Sequence, residues 1–238
     1  EKAINADAVR GAGIWRSTDH GVTWSVMAGT ANFWNVSKVV CDASGNLYVG
    51  CNSISNTAGL QRFTKATNTW TNITPSGLDA RVPDLELSST GRFHVICGYY
   101  NTAAGSAGYR YTDNPATVSS GTWTSPATTF PTQYNVAIES NGNTLYALPS
   151  NSAWGVPTIY KSTNGGANWA ATGATPAFTS GQAWYCMAVA IDPNNANNVI
   201  VGSLDCYKTT NGGTSWTKIS EWVGTTGQYV HADQQIIT

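Results

Sequence analysis

Apolar and polar positions alternate along this chain in short bursts. LYVGC (47–51), FHVIC (93–97), LYAL (145–148) and VIVGS (199–203) are apolar runs of strand length. Another apolar run comes before them and closes in a polar turn, as in VSKVVCDASGN (36–46) and MAVAIDPNNANN (187–198). A period of two, rich in β-branched and aromatic residues, predicts strands, and no stretch keeps a helical period. A loop and a third strand follow, GIWRS (13–17), TIYKS (158–162) or LDCYKT (204–209), then a polar turn and a fourth strand that starts at a tryptophan.

The polar turn is written three times, as STDHGVTW (17–24), STNGGANW (162–169) and TTNGGTSW (209–216), with eroded forms in TKATNTW (64–70) and YTDNPATVSSGTW (111–123). The closing residues Trp24, Trp70, Trp123, Trp169 and Trp216 stand 46, 53, 46 and 47 positions apart. Four antiparallel strands every ~45 residues predict a β-propeller, with four complete blades in this chain and a partial one at each end. Residues 1–10 then align with the tail of a second strand, and 229–238 with the start of a first strand. The turn has a mechanical reading. Asp19, Asn164 and Asn211 can accept backbone N–H groups two or three residues on, Gly21, Gly166 and Gly213 supply conformations a Cβ would penalise, and Ser17, Ser162 and Thr209 can close the loop. Trp24, Trp169 and Trp216 would pin each loop to its blade by burying a large ring.

The pattern S-x-D-x-G-x-x-W in these segments resembles the Asp-box, or BNR repeat. It occurs in sialidases, xyloglucanase-type glycoside hydrolases, the sortilin luminal domain and photosystem assembly factors. The resemblance covers essentially the whole chain. It implies an all-β propeller of an exported protein, extracellular or on a bacterial surface, and places the boxes at the blade periphery as structural elements. It does not imply an activity, because enzymes and non-enzymes share the repeat and fold does not dictate function.

Composition narrows the partners. Charged residues make up only 11% of the 238 residues, and 12 Lys plus Arg against 13 Asp plus Glu leave a formal net charge of −1. No basic run could follow a phosphate backbone, so nucleic acid is not an expected partner. No apolar stretch approaches the ~20 residues of a membrane span. The chain reads as one propeller domain over residues 1–238, an excerpt of a larger propeller or multidomain protein, with closure into a five-bladed ring as the alternative. Cys41, Cys51, Cys97, Cys186 and Cys206 form no C-x-x-C motif. They read as buried thiols, with Cys186 to Cys206 the one pairing to test because the two flank a hairpin.

Function in such a fold gathers where loops from every blade converge on the central channel. Alignment by the first turn brings Trp34, Arg81, Tyr134, Trp184, Tyr185 and Tyr229 to that mouth, with His231 beside them. Aromatic faces with polar tips suit a sugar ring, and the Arg81 fork suits a carboxylate or hydroxyls. Packing between blades is the plain alternative for the same rings. A sialidase-like site would need an arginine triad and a (F/Y)-R-I-P motif, of which only ARVP (80–83) is present. A xyloglucanase-like site would need two opposed carboxylates, for which Glu139 and Asp233 are the candidates. On a strand, His231, Asp233 and Gln235 would share one face, but an amide is a poor metal ligand, so neither metal nor cofactor is expected. The expected function is recognition of a glycan or of another extracellular protein, without catalysis by this segment. The alternatives are part of a glycoside hydrolase, and an assembly or adhesion module without a sugar ligand.

Overall fold

The computed structural model describes residues 11–52, 59–224 and 228–237. The expectation for residues 1–10 lies outside them. Strands β1 (Trp15–Arg16) and β2 (Ser25–Val26) form a hairpin. The first blade follows as β3 (Val36–Cys41), β4 (Leu47–Cys51), β5 (Gly59–Thr64) and β6 (Thr69–Asn72), hydrogen-bonded in that order. The second blade holds β7 (Leu85–Leu87), β8 (Phe93–Cys97) and β9 (Gly108–Thr112). The third runs β10 (Val136–Asn141), β11 (Thr144–Pro149), β12 (Tyr160–Ser162) and β13 (Ala170–Ala171). The fourth runs β14 (Ala188–Ile191), β15 (Val199–Gly202), β16 (Cys206–Thr209) and β17 (Thr217–Ser220). Every pairing within these sheets is antiparallel.

Two expectations are corrected. The second blade has three strands, and its fourth is reduced to one bridge between Tyr111 and Thr124. Its turn, 113–121, is longer than the others and is anchored outward by Asp113, which pairs with Arg92 at 2.6 Å. The tail does not begin a strand either. It carries one parallel bridge, Glu221 to Tyr229, and Asp233 has φ +75°, which breaks the alternation that would align His231, Asp233 and Gln235.

The core lies between sheets. Tyr48, Leu60 and Ile73 of the first blade meet Leu85, Phe93 and Val95 of the second. Ile96 and Tyr109 meet Val136, Ile138 and Leu145 of the third, while Tyr146, Leu148 and Ile159 meet Val189, Val199 and Val201 of the fourth. A middle strand is therefore apolar on both faces, since each face meets a neighbouring blade.

Tryptophans seal these joints. The indole N–H of Trp70 donates to Ala28 O at 3.1 Å, that of Trp123 to Ile73 O at 2.8 Å and that of Trp216 to Ala174 O at 3.1 Å, each acceptor lying at the end of the preceding sheet. Trp169 caps its own Gly166 O and packs edge-on against Phe130 and Tyr109. The ring thus pins a loop to the blade before it rather than to its own. Among the described residues Trp24 meets no such blade, and it is 59% exposed, against 5% for Trp169.

The loops share one geometry. Ser17, Ser162 and Thr209 accept the N–H of Gly21, Gly166 and Gly213 at 2.8, 2.9 and 3.0 Å. Asp19, Asn164 and Asn211 accept the N–H four residues on, from Thr23, Asn168 and Ser215, at 2.9, 2.9 and 3.0 Å. The three glycines hold φ of +89°, +80° and +92°.

All five cysteines are free thiols, four of them buried, whereas Cys41 is exposed, contrary to expectation. Cys186 Sγ lies 3.1 Å from Ser203 Oγ, so the Cys186 to Cys206 pairing is not formed.

Candidate functional site

Antiparallel order gives each blade two ends. The loop before the first strand and the loop between the second and third share one end, and the tryptophan loops lie at the other. Hydrogen bonds tie the first set together, one within the second blade and two across blades. Gly98 N donates to Arg81 O at 2.9 Å, Thr102 N to Gln133 O at 3.0 Å, and Asn135 Nδ2 to Ala183 O at 2.6 Å.

An aromatic cluster stands on this end. Tyr100 stacks on Trp154 with ring centres 5.5 Å apart and planes at 21°, and Tyr134 meets the same indole edge-on at 5.4 Å. Tyr99, fully buried, donates its hydroxyl to Trp184 O at 2.8 Å, and Trp184 packs on Tyr185 at 5.4 Å. Tyr134 Oη donates to Asn101 Oδ1 at 3.2 Å. Asn101, Trp154 and Ser180 hold φ of +49°, +56° and +43°, conformations that side chains rarely adopt and that persist where surrounding contacts fix them. Tyr100 remains 49% exposed. The result is a broad aromatic surface with fixed rings.

Of the expected mouth residues, Arg81, Tyr134, Trp184 and Tyr185 meet in this cluster. Trp34 lies in the loop before the first blade, its indole on Ala31 O at 3.2 Å. Tyr229 and His231 are exposed on the tail, where His231 Nδ1 lies 2.9 Å from Ala232 O. Tyr99, Tyr100 and Trp154 escaped notice because they sit between second and third strands. The doublet GYY (98–100) and the AWG at the matching point of the next blade (153–155) were the available signal.

Arg81 does not offer a free fork. Asp79 accepts Nε at 2.8 Å and Nη2 at 2.6 Å, and Thr102 Oγ1 and Tyr100 O take further donors at 2.8 and 3.3 Å. Burial raises the Asp79 carboxyl, but the Arg81 hydrogen bonds outweigh it and hold the group below its ordinary range. The guanidinium organises the loops beneath the rings.

A second feature is the channel. A cavity of about 500 Å3 is lined by residues of the four innermost strands, β3, β7, β10 and β14, or of the turns before them, and by Gln235, Ile236 and Ile237 of the tail. Lys38 Nζ lies 3.2 Å from both Asp84 Oδ1 and Glu86 Oε2. Asp84 also accepts the N–H of Leu85 and Ile138 at 2.8 and 2.9 Å, and Glu86 accepts Ser140 Oγ at 2.7 Å. Glu139 stands among these charges, and burial together with Glu86 pushes its carboxyl up to about 7. Asp233, the other carboxylate candidate, faces the Cys186 thiol instead. Asp192 belongs to its own turn, accepting Asn194 N at 2.8 Å and Asn198 Nδ2 at 3.0 Å. Among the described residues no group of three or more His, Cys, Asp or Glu is placed to hold a metal ion, and no helix is long and apolar enough to cross a membrane.

Solved structures share this fold. The extracellular domain of BT4673 from B. thetaiotaomicron aligns over 95% of the chain with a TM-score of 0.65 at 10% identity. The GH74 xyloglucanase of Xanthomonas campestris aligns over 86% with 0.59 at 22% identity, and YCF48 bound to D1 peptide over 86% with 0.52 at 16% identity. The fold is a β-propeller. At these identities the likeness shows the fold alone, and the chain spans 28%, 34% and 59% of those proteins' lengths. No family model matches the chain, and no curated protein matches it in sequence.

Proposed function

We propose that this propeller is an extracellular recognition module that holds a glycan or the surface of another exported protein on its aromatic end, without performing catalysis itself. The observation that carries the reading is the half-exposed Tyr100 ring fixed on Trp154, with Tyr134 edge-on. Fixed rings give up little entropy on binding, and their faces match the C–H face of a sugar while the hydroxyl tips match its polar rim. The loops at 17–24, 162–169 and 209–216, with their shared hydrogen bonds, support assignment to the Asp-box type, and an exported location follows from that assignment.

A polysaccharide array tests it. Wild-type protein is retained on at least one neutral or acidic polysaccharide, and Trp154→Ala and Trp184→Ala lose retention while their circular dichroism is unchanged. Retention that survives both substitutions overturns the aromatic site. Absence of retention on every polysaccharide removes the glycan half of the reading and leaves the protein surface.

A second reading, part of a glycoside hydrolase, is favoured by one observation. Burial and Glu86 push the Glu139 carboxyl up to about 7, beside the Lys38-paired Asp84 and Glu86, so this carboxyl can hold a proton near neutrality. Turnover of a polysaccharide that disappears in Glu139→Gln would establish it.

A further inference from the structure

The β1–β2 hairpin, the first blade and the third blade close their two outermost strands in the same way. The carbonyls of Ile14, Leu60 and Ile159 accept the backbone N–H of Met27, Ile73 and Thr172 at 2.7, 2.9 and 2.9 Å. The N–H groups of the same three residues donate to the hydroxyls of Thr30, Thr74 and Thr175 at 3.0, 2.9 and 3.0 Å. Each backbone donor stands three positions after the tryptophan of its loop.

The second blade, whose residues 85–135 are described without a break, departs from this pattern. Gly108-Tyr109 aligns with Gly13-Ile14 and Gly59-Leu60, and three positions after Trp123 stands Pro126, which has no N–H to give. The fourth strand goes no further than the Tyr111–Thr124 bridge. The Tyr109 peptide group points outward from the sheet. Ile96, its partner across the ladder, donates its N–H to Asp84 O at 3.1 Å on the far side, and opposed residues in an antiparallel ladder exchange both bonds or neither. Among the described residues nothing accepts the Tyr109 N–H. Thr129 stands six positions after Trp123, as Thr30 and Thr175 stand after Trp24 and Trp169, but makes no such bond.

A cleft of about 390 Å3 lies along this edge. Gly108, Tyr109 and Arg110 line it together with Ser125, Pro126 and Thr129, and exposed Ser125 and Thr129 open it to solvent. Arg110 Nη1 donates to Tyr109 O at 2.8 Å, covering the carbonyl in place of the absent N–H. A guanidinium carries five donors, so most of the fork is left over. Arg81 and Arg92 pair with Asp79 and Asp113, whereas among the described residues no carboxylate pairs with Arg110.

An open strand edge is a template for another chain, and an uncompensated cation beside it selects for acid. We propose that this cleft takes an extended acidic segment of a partner protein, which adds to β9 as the strand the blade lacks and sets a carboxylate on Arg110. The site rests on the edge of the second blade and does not draw on the Tyr100–Trp154 stack.

Fluorescence anisotropy with a labelled peptide of alternating threonine and valine around a central glutamate tests this. The peptide binds wild-type protein with a Kd below about 1 mM, and its central-lysine counterpart binds at least about tenfold more weakly, as loss of a charge-assisted pair does. Arg110→Gln erases that preference. Pro126→Ala supplies the N–H that lets the chain's own fourth strand close on Tyr109, so this variant keeps its circular dichroism and binds the peptide at least about tenfold more weakly. Trp154→Ala, which disables the aromatic end, binds it as wild type does. No binding of the glutamate peptide, equal binding of the lysine peptide, or unweakened binding by Pro126→Ala overturns the proposal. Loss of binding in Trp154→Ala also overturns it, by moving the peptide to the aromatic end. Should Arg110→Gln fail to fold, the two peptides on wild-type protein and the Pro126→Ala variant still decide.

Discussion

The Tyr99 hydroxyl reaches across 85 residues of sequence to the carbonyl of Trp184, joining the second blade to the loop that opens the fourth. Tyr99 is fully buried and Trp184 half-buried, so the bond is partly shielded from water. Tyr99→Phe removes the donor and costs about 1 kcal/mol, read as a lower urea midpoint at unchanged slope. An unchanged midpoint would mean the Trp184 loop holds its place without the bond.

Gly166 and Gly21 occupy the same position in two copies of one loop, yet they predict different penalties. A Cβ on Gly166 would stand 1.8 Å from Tyr109 Oη, whereas a Cβ on Gly21 has no atom within 4 Å. Both residues hold positive φ, so Gly21→Ala costs only about 1–2 kcal/mol of backbone strain. Gly166→Ala adds the clash and costs about 3 kcal/mol or more. Thermal melts of the pair check the difference, and equal penalties would refute packing of this loop against the second blade.

Glu139 makes stability fall as pH rises. Its folded carboxyl titrates at about 7 against an ordinary 4.5, so the native state binds the proton more tightly. The contribution is full below about 4.5 and is lost as pH climbs to 7. Glu139→Gln removes this dependence, so the variant gains on wild type between pH 4 and pH 8 in denaturant titrations. A stability difference that stays flat over that range would contradict the burial of Glu139 among Asp84 and Glu86.

His94 acts in the opposite direction. It is fully buried, with Nδ1 2.7 Å from Tyr109 Oη, and burial, then Arg92, lowers its ring to about 3. The unfolded ring binds a proton near 6.5 and the folded ring does not, so stability declines as pH drops from about 6.5 toward 3. His94→Gln should shift the acid unfolding midpoint to lower pH relative to its own neutral-pH stability. An acid midpoint that tracks neutral-pH stability alone would assign acid sensitivity to other groups.

Much of the fold was legible because the tryptophan spacing reports one blade per repeat, and because strands buried on both faces are almost continuously apolar, as LYAL is and FHVIC is apart from His94. The second blade misled where Asp113 to Gly121 replaced a box with a longer turn, since alternation cannot reveal that a strand has shrunk to the Tyr111–Thr124 bridge. The site was legible in part. Tyr134 and Trp184 were found through their place before first strands, while Tyr100 and Trp154 depend on backbone conformations of +49° at Asn101 and +56° at Trp154 that local pattern does not encode. Arg81 was misjudged for a plain reason. Asp79, two residues away, was not weighed as its partner, and it occupies the guanidinium with both oxygens.

The tryptophan loops and the aromatic loops lie at opposite ends of every blade. Holding the blades together therefore draws first on the tryptophan joints, while the exposed part of the aromatic end lies a full strand length away, although Tyr99 and Thr102 also bond across blades there. Exposed positions such as Tyr100, Ala104 and Gly105 can be varied while the joints at Trp123, Trp169 and Trp216 and the Tyr99 and Thr102 bonds remain as they are. A library varied at those exposed positions would change the face the protein presents without touching what holds its blades in register.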